Sequence, residues 1–272
     1  MPLAFAEKVG RRTSDTFAAF GDFFTFAGRT LGWMMISGFR WKNIRLLFPQ
    51  MYEIGARSVP VVSVTGAFIG MVMAIESYAE FKSIGQEAHI GSLINLSVVK
   101  QIGPVLAAVM VAGRIGGALT AELGTMNVTE QLDALRVMGS DPIRFLVVPR
   151  FLTCVFFTPI LTIFSDLMGI LGGWIISVFL LHIPNGPYWA NSDVETWQIM
   201  EGISKSFFFG ASIGMISCYK GFNSGAGASG VGRACTESFV ASFIAIIILN
   251  FIFAQMLKEM YIALYGYRGI FG

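Results

Sequence analysis

Three charged side chains in one otherwise apolar segment, residues 92–124, are the most promising candidates for chemistry. They are Lys100, Arg114 and Glu122. At about 100° per residue, Arg114 and Glu122 each lie about 40° from Lys100 around a helix, so the three share one face unless Pro104 shifts the register. Charges in apolar surroundings are costly and normally point into a protein-lined or water-filled interior. The stripe predicts either a cavity wall or a structural seam, in which Arg114 pairs with Glu122 or with another helix.

The composition places these charges in a membrane protein. Of the 272 residues, 54% are hydrophobic and 13% are charged, whereas soluble domains carry about 25% charged residues. The mean hydropathy is +0.66. A net charge of +2 gives no reason to expect nucleic acid as a partner. The three cysteines and two histidines are scattered and form no metal-binding motif.

Five segments are candidates to cross a bilayer as helices, because a hydrocarbon core takes about 20 apolar residues. They are Val59–Ile75, Ser92–Gly124, Phe151–Ile183, Gly202–Tyr219 and Ser238–Leu257. Lys and Arg gather before the first segment, after the second and after the fourth. The positive-inside rule then puts the N-terminus in the cytoplasm and the C-terminus on the far side, which for an inner membrane is the periplasm. We therefore predict an all-α integral protein of the inner membrane, with five transmembrane helices in residues 58–272.

The N-terminal residues 1–57 form a separate predicted segment. Their first half mixes phenylalanines with acidic and basic residues, and residues 43–57 repeat apolar positions at helical spacing. Such a pattern is typical of amphipathic helices that lie in the membrane interface. An amphipathic helix packed on the outside of the bundle fits the same pattern.

Lys100 lies near one end of its segment, and Glu76 and Lys205 lie near the same end of theirs. Two ammonium groups at a similar depth suit an anionic headgroup. A structural role, or extension of each lysine to the membrane surface, explains the positions equally well.

The connection after the second span has the signals of a short exposed helix. Asn127 is a predicted cap, with Glu130 returning the bond. Gly139 is the predicted stop, and the pair Asp141–Pro142 predicts the start of the next helix. Such a helix can transmit a push from a partner, although an ordinary connecting helix fits as well.

A glycine-rich stretch, residues 221–232, lacks the G-K-[ST] ending of a phosphate-binding loop, and no Gly-Lys pair occurs in the sequence. We predict a flexible cytoplasmic loop there. The chain is therefore expected to be no enzyme, with no catalytic or metal-binding residue and no cofactor of its own. ATP and Mg²⁺ would be bound by a partner ATPase.

Several segments resemble the MlaE/YrbE permeases, the membrane subunits of ABC transporters associated with MCE proteins. These segments are GAFIGMV at 66–72, KQIGP at 100–104, AGRIGGALTAELGTM at 112–126, EQLDALRVMGSDP at 130–142 and PRF at 149–151. The resemblance runs through most of the chain from about residue 50, and the block at 112–151 is specific.

The resemblance implies a homodimer of lipid-exporter-like permeases, each with an N-terminal interfacial helix and five spans. It implies a cytoplasmic ABC ATPase dimer docked on a coupling helix at about 127–139, and a periplasmic hexamer of MCE domains. It leaves open a small cytoplasmic STAS-like accessory protein. The implied cargo is phospholipid or a similar hydrophobic lipid, in outer-membrane lipid asymmetry or lipid uptake. The expected ATPase-coupling residues are Glu130, Gln131, Leu132, Asp133, Leu135 and Arg136.

One departure from the family concerns the second span. Many relatives have Arg-Glu where this chain has Lys100 and Gln101, so the cation is kept and the acid becomes an amide. Lys205 falls at the position of a pocket lysine in relatives. The expected lipid-binding and translocation residues are therefore Lys100, Gln101, Lys205 and Glu76. Arg114 and Glu122 are expected to be buried polar residues with a structural role.

Two other classes of function predict different patterns. An ion-coupled secondary transporter of a small hydrophobic or anionic solute predicts inverted repeats and broken helices near the midplane, and the sequence has no convincing repeat. A membrane enzyme needs a cluster of reactive side chains at one depth, but Glu76, Glu122 and Asp166 are scattered.

Overall fold

Apolar segments fold as helices in a bilayer because a helix satisfies its own backbone hydrogen bonds. The computed structural model describes residues 2–37, 50–190 and 194–265, and the regular structure there is helical. In chain order the helices are α1 (Pro2–Ser37), α2 (Gln50–Ser83), α3 (Ile90–Val128), α4 (Gln131–Val137), α5 (Ile143–Leu180), α6 (Asn185–Ala190), α7 (Thr196–Phe222) and α8 (Gly227–Tyr265). We call the two ends of the bundle the α4 end and the α6 end, after the short helix that each carries.

Four of the described helices are long and apolar enough to cross a membrane, namely α2, α3, α5 and α8. The prediction of an all-α membrane protein is confirmed. The helix α7 is long enough but less apolar, since it carries Glu201, Lys205 and Lys220. It packs against α3, α5 and α8, so neighbouring helices cover much of it. The fifth span stays a prediction.

The helices α2 and α5 cross with their backbones in contact. A Cβ atom on Gly70 would lie 1.8 Å from the carbonyl oxygen of Gly169, and one on Gly66 would lie 2.5 Å from that of Ser165. Glycine is needed at such points because any side chain would push the backbones apart. Gly66 and Gly70, four residues apart, therefore let the backbones of α2 and α5 come into contact.

Two further glycine pairs with the same four-residue spacing, Gly210 with Gly214 in α7 and Gly113 with Gly117 in α3, differ in what they contact. A Cβ atom on Gly210 of α7 would lie 2.5 Å from the carbonyl oxygen of Cys154 on α5, so this pair also makes a close crossing. In α3, by contrast, a Cβ atom on Gly117 would have nothing within 4 Å. Glycine spacing alone therefore does not identify which pairs form helix contacts.

Two π turns interrupt α3, at Val98–Ile102 and Ala112–Gly116. A π turn holds one more residue than an α-helical turn, so side chains on either side of it no longer follow the regular 100° step. Lys100 lies in the first π turn and Arg114 in the second. Lys100, Arg114 and Glu122 therefore do not form the single stripe that was predicted from a regular helix.

The start of α4 differs from the prediction. Helical hydrogen bonds continue from α3 through Thr129, whose N–H donates to the carbonyl of Thr125 at 3.0 Å. Asn127 thus lies in the last turn of α3, and its side chain donates to the carbonyl of Ser224 at 3.3 Å. Glu130 has a left-handed φ of 58° and makes no side-chain cap. The predicted capping box is wrong, because α3 extends into the positions assigned to it.

The end of α4 and the start of α5 follow the sequence. Gly139 has a φ of 75°, and the N–H of Ser140 donates to the carbonyl of Leu135 at 3.0 Å. This is the glycine stop that the sequence predicts. The carboxylate of Asp141 accepts a hydrogen bond from the N–H of Ile143 at 2.9 Å, so the predicted cap of α5 is also confirmed.

The helix α1 packs along one side of the bundle. Its Trp33 indole donates to the Asp141 carboxylate at 2.8 Å, and its Phe26 ring lies 5.6 Å from that of Tyr219. Its other face exposes Phe17, Phe20 and Phe24. One face thus contacts the bundle while the other is available to lipid. The predicted boundary at residue 57 falls in a 3₁₀ turn of α2, and residues 38–49 lie outside the described ranges.

Candidate functional site

Four polar side chains meet between α3 and α7, near the α6 end of the bundle. Lys100 and Gln101 come from the first π turn of α3, and Glu201 and Lys205 lie one turn apart on α7. The side chains of Lys205 and Glu201 are 0% and 2% exposed, whereas that of Lys100 is 42% exposed. We call these four residues the lysine cluster.

Lys205 lies at the centre of the lysine cluster. Its Nζ donates to Glu201 Oε1 at 2.6 Å, to Gln101 Oε1 at 3.0 Å and to the backbone carbonyl of Lys100 at 3.3 Å. A buried ammonium group is costly unless it is paired and hydrogen-bonded. These three acceptors provide both the opposite charge and the hydrogen bonds.

The backbone acceptor in the lysine cluster has a cause in the sequence. In a regular helix the carbonyl of Lys100 would accept from the N–H four residues later, but that residue is Pro104, which has no N–H. The proline thus removes the regular helical donor to this carbonyl, and the Lys205 ammonium group of α7 donates to it instead of that N–H. Lys205 therefore links α7 to the irregular turn of α3.

The charge of the lysine cluster does not cancel. Lys100 Nζ lies 3.7 Å from Glu201 Oε2, so one carboxylate faces two ammonium groups. Gln101 is neutral, and the four side chains together therefore carry one positive charge more than negative. At 3.7 Å the Lys100 contact is an ion pair rather than a hydrogen bond. Lys100, the exposed side chain of the cluster, carries the excess positive charge.

The structure brings together three of the four residues predicted for the site, Lys100, Gln101 and Lys205. The fourth, Glu76, is exposed on α2, a helix that packs mainly on α5, and it makes no contact in the lysine cluster. Similar depth along two helices does not bring two side chains together when one of them lies on an exposed face of its helix.

Sequence reasoning missed Glu201, the carboxylate of the lysine cluster. The predicted fourth span begins at residue 202, so the prediction places Glu201 in the polar connection before it. Its spacing of four residues from Lys205 was the available signal, because oppositely charged residues at that spacing meet on one helix face. In the structure α7 begins at Thr196, and a capping box formed by Glu195 and Gln198 marks that start.

Arg114 and Glu122 are placed differently from the prediction. Arg114 donates to the backbone carbonyl of Arg57, while Glu122 pairs with Arg150 of α5 at 2.9 Å. Arg114 thus contacts another helix, α2, which is one of the two alternatives predicted for it. The expectation that both are buried is wrong, since both line a shallow cleft of about 120 Å³ beside the start of α2 and are exposed there.

The coupling residues predicted in α4 lie on an exposed helix. Leu132 is buried and anchors it, and Leu135 is half-buried. The others, Glu130, Gln131, Asp133 and Arg136, are exposed. Two apolar side chains that follow, Val137 and Met138, lie within the predicted coupling helix but are not among its named coupling residues, and they are 88% and 71% exposed. Exposed apolar side chains rimmed by polar ones are typical of a protein contact surface.

The family model "Permease MlaE" matches residues 47–256, which is most of the chain. The chain belongs to the MlaE permease family. It is accordingly an ABC transporter permease and a multi-pass inner-membrane protein, consistent with its four apolar helices.

Individual relatives cover nearly the whole chain. A probable ABC transporter permease protein of Rickettsia conorii is 37% identical over 253 residues, covering 92% of this chain and 96% of the relative. The intermembrane phospholipid transport system permease protein MlaE of Haemophilus influenzae is 32% identical over 261 residues, covering 94% and 98%. TRIGALACTOSYLDIACYLGLYCEROL 1, a chloroplastic protein of Arabidopsis thaliana, is 34% identical over 231 residues, covering 84% and 65%.

Proposed function

We propose that this MlaE-family permease is the membrane subunit of an ABC transporter that moves phospholipids between the inner membrane and a periplasmic MCE protein. The observation that carries the proposal is the lysine cluster, a buried set of charges with one excess positive charge at a helix interface. A phospholipid headgroup carries a phosphate that such a charge can bind. The name of the Haemophilus influenzae relative, a phospholipid transport system permease, supports the same cargo.

The energy for transport comes, in this proposal, from a separate cytoplasmic ATPase dimer. The α4 helix joins α3 to α5 at the α4 end, so a force on α4 acts directly on two long helices. One of them, α3, holds Lys100 and Gln101 near its far end. A movement of α4 driven by ATP would reshape the lysine cluster through α3. This geometry favours ATP coupling over an ion-driven mechanism.

The proposed assembly is a homodimer with the α4 end in the cytoplasm and the α6 end toward the periplasm. Lipid would enter or leave a cavity at the dimer interface near the outer leaflet. A hexamer of MCE domains would continue the lipid path above the α6 end, and a small STAS-like protein is a further candidate partner. The excess of Lys and Arg in connections at the α4 end supports this orientation.

The proposal is tested by isolating the tagged chain from its native membranes and identifying the proteins that come with it. We expect an ATPase with phosphate-loop motifs, whose turnover falls when Glu130→Lys or Arg136→Glu reverses a charge on α4. The matched control is Arg233→Glu, which reverses an exposed charge on α8 at the same end of the bundle. Equal turnover in the α4 variants and the control would remove α4 as the coupling helix.

A further inference from the structure

Lys205 has no hydrogen left to donate to a ligand. An ammonium group has three N–H donors, and those of Lys205 face three acceptors in Glu201, Gln101 and the carbonyl of Lys100. Its side chain is 0% exposed. A ligand would have to displace one of these acceptors and leave it buried without a partner, which is unfavourable for a neutral group and more so for a charged one.

Lys205 instead acts on the shape of α3. It donates to the one carbonyl that Pro104 deprives of its usual helical donor, in the same π turn that carries the Lys100 side chain. Removing this donor would free the π turn to change its conformation. The position of the Lys100 ammonium group therefore depends on Lys205, although the two side chains do not bond to each other.

Lys100 has the opposite properties. Its side chain is 42% exposed, and its ion pair with Glu201 is 3.7 Å long. Within the described ranges, the structure assigns no hydrogen bond to its ammonium group. Its donors are thus available, and it carries the charge that Glu201 does not cancel, because Glu201 is the closer partner of Lys205.

We propose that Lys100 is the side chain that binds the headgroup phosphate, and that Lys205 is a positioning residue that does not touch the ligand. The inference rests on the proposed function only in taking a phospholipid as the ligand. One excess positive charge matches one phosphodiester, so the favoured ligand is a lipid with a phosphate and not an uncharged lipid with the same acyl chains. The proposal reverses the sequence expectation that both lysines hold the headgroup.

The first test is amine acylation of the purified chain in a neutral detergent, read residue by residue by mass spectrometry. The probes are dioleoyl phosphatidylglycerol and dioleoylglycerol, which differ in the phosphate-containing headgroup. We expect Lys100 to be acylated, to be protected by the phospholipid and not by dioleoylglycerol, and Lys205 to stay unmodified throughout. The exposed Lys258 of α8 is the internal control, acylated equally in all samples. Acylation of Lys205 that the phospholipid suppresses would overturn the assignment.

The second test measures the phosphatidylglycerol retained per protein after delipidation and reloading. Loss of a charge-assisted hydrogen bond should lower retention about tenfold in Lys100→Gln, whereas Lys258→Gln should equal wild type. The double variant Lys205→Met/Glu201→Gln keeps the Lys100 charge but removes the donor that holds its π turn, so retention should fall by less than in Lys100→Gln, about threefold. Normal retention in Lys100→Gln together with loss in the double variant would assign the phosphate to Lys205.

These tests are independent of the proposed function. Acylation and lipid retention need neither ATP nor a partner subunit. Protection of Lys100 by phosphatidylglycerol in a chain that never isolates with an ATPase would contradict the transport proposal and leave this inference intact. Equal acylation of Lys100 with both lipids, in a chain that does isolate with an ATPase, would contradict the inference alone. If the double variant fails to fold, acylation of the wild-type chain still decides between the lysines.

Discussion

The two ends of the bundle each hold an oppositely charged pair on one helix, and the pairs differ in burial. At the α6 end Glu201 and Lys205 lie 2.6 Å apart and are 2% and 0% exposed. At the α4 end Asp133 and Arg136 lie 2.8 Å apart and are 65% and 60% exposed. An exposed pair contributes about 0–1 kcal/mol, whereas breaking a buried pair costs about 3–5 kcal/mol. The two ion pairs have nearly equal lengths, but we expect the loss of the buried pair to destabilise the protein much more than the loss of the exposed pair.

The comparison separates two kinds of functional surface. The lysine cluster fixes Lys205 and Glu201 by hydrogen bonds between two helices and leaves the Lys100 charge available, which suits the recognition of a ligand of defined charge. The α4 helix holds its charges loosely and exposes Val137 and Met138 beside them, which suits contact with another protein. Substitutions in the first should change stability and lipid binding, and substitutions in the second should change coupling alone.

The largest expected effect is that of Lys205→Met. This variant leaves Glu201 buried with its hydrogen-bonded partner removed, so we expect a loss of about 3–5 kcal/mol in the free energy of unfolding. Thermal unfolding in detergent, followed by tryptophan fluorescence, measures the change. The double variant Lys205→Met/Glu201→Leu should recover most of the loss, because no unpaired carboxylate remains. An unchanged midpoint in the single variant would contradict the role assigned to burial.

A smaller effect is expected at the crossing of α2 and α5. In Gly70→Ala the new methyl group meets the backbone of Gly169, which cannot rotate away, and we expect a loss of about 1–3 kcal/mol. The matched control is Gly117→Ala in α3, where a Cβ atom has nothing within 4 Å. That variant should be neutral or slightly stabilising, since alanine favours helix more than glycine does. Equal thermal unfolding midpoints in Gly70→Ala and Gly117→Ala would contradict this prediction, because they would show that α2 and α5 can move apart at Gly70 at little cost.

The smallest effect on stability is expected for Arg136→Ala. Its ion pair with Asp133 is exposed, so the free energy of unfolding should change by less than about 0.5 kcal/mol. The variant Arg233→Ala breaks a comparable exposed pair with Glu237 and should be equally neutral. The two variants should differ in the ATPase turnover of the assembled complex, which should fall for Arg136→Ala and not for Arg233→Ala. A stability loss in Arg136→Ala as large as that in Lys205→Met would contradict the account.

Most of the fold follows from the sequence, because the cost of burying polar backbone in lipid makes long apolar segments helical. The spans around α2, α5 and α8 were predicted on this ground, and Gly139 and Asp141 marked helix ends through local chemistry that needs no tertiary contact. Local rules failed at Asn127, which was predicted to cap the start of α4. In the structure α3 continues through Asn127, because the N–H of Thr129 still donates to the carbonyl of Thr125.

The candidate site was predicted less completely. Lys100, Gln101 and Lys205 were identified, but their division of roles was not, because it depends on which acceptors reach the Lys205 ammonium group across two helices. Glu201 was missed because hydropathy set the start of α7 too late. A regular helical projection does not show the two π turns of α3. The positions of Lys100, Arg114 and Glu122 around the helix could therefore be seen only in the structure.

The central claim is that ATP hydrolysis by a partner moves phospholipid past this chain, with Lys100 binding the phosphate. Its most direct test is transfer of a fluorescent phospholipid by the complex reconstituted with its ATPase in vesicles, with and without ATP. The account predicts ATP-dependent movement of the label, lost in Lys100→Gln and kept in Lys258→Gln. ATP hydrolysis that leaves the label's distribution unchanged, or movement driven by an ion gradient without ATP, would contradict it.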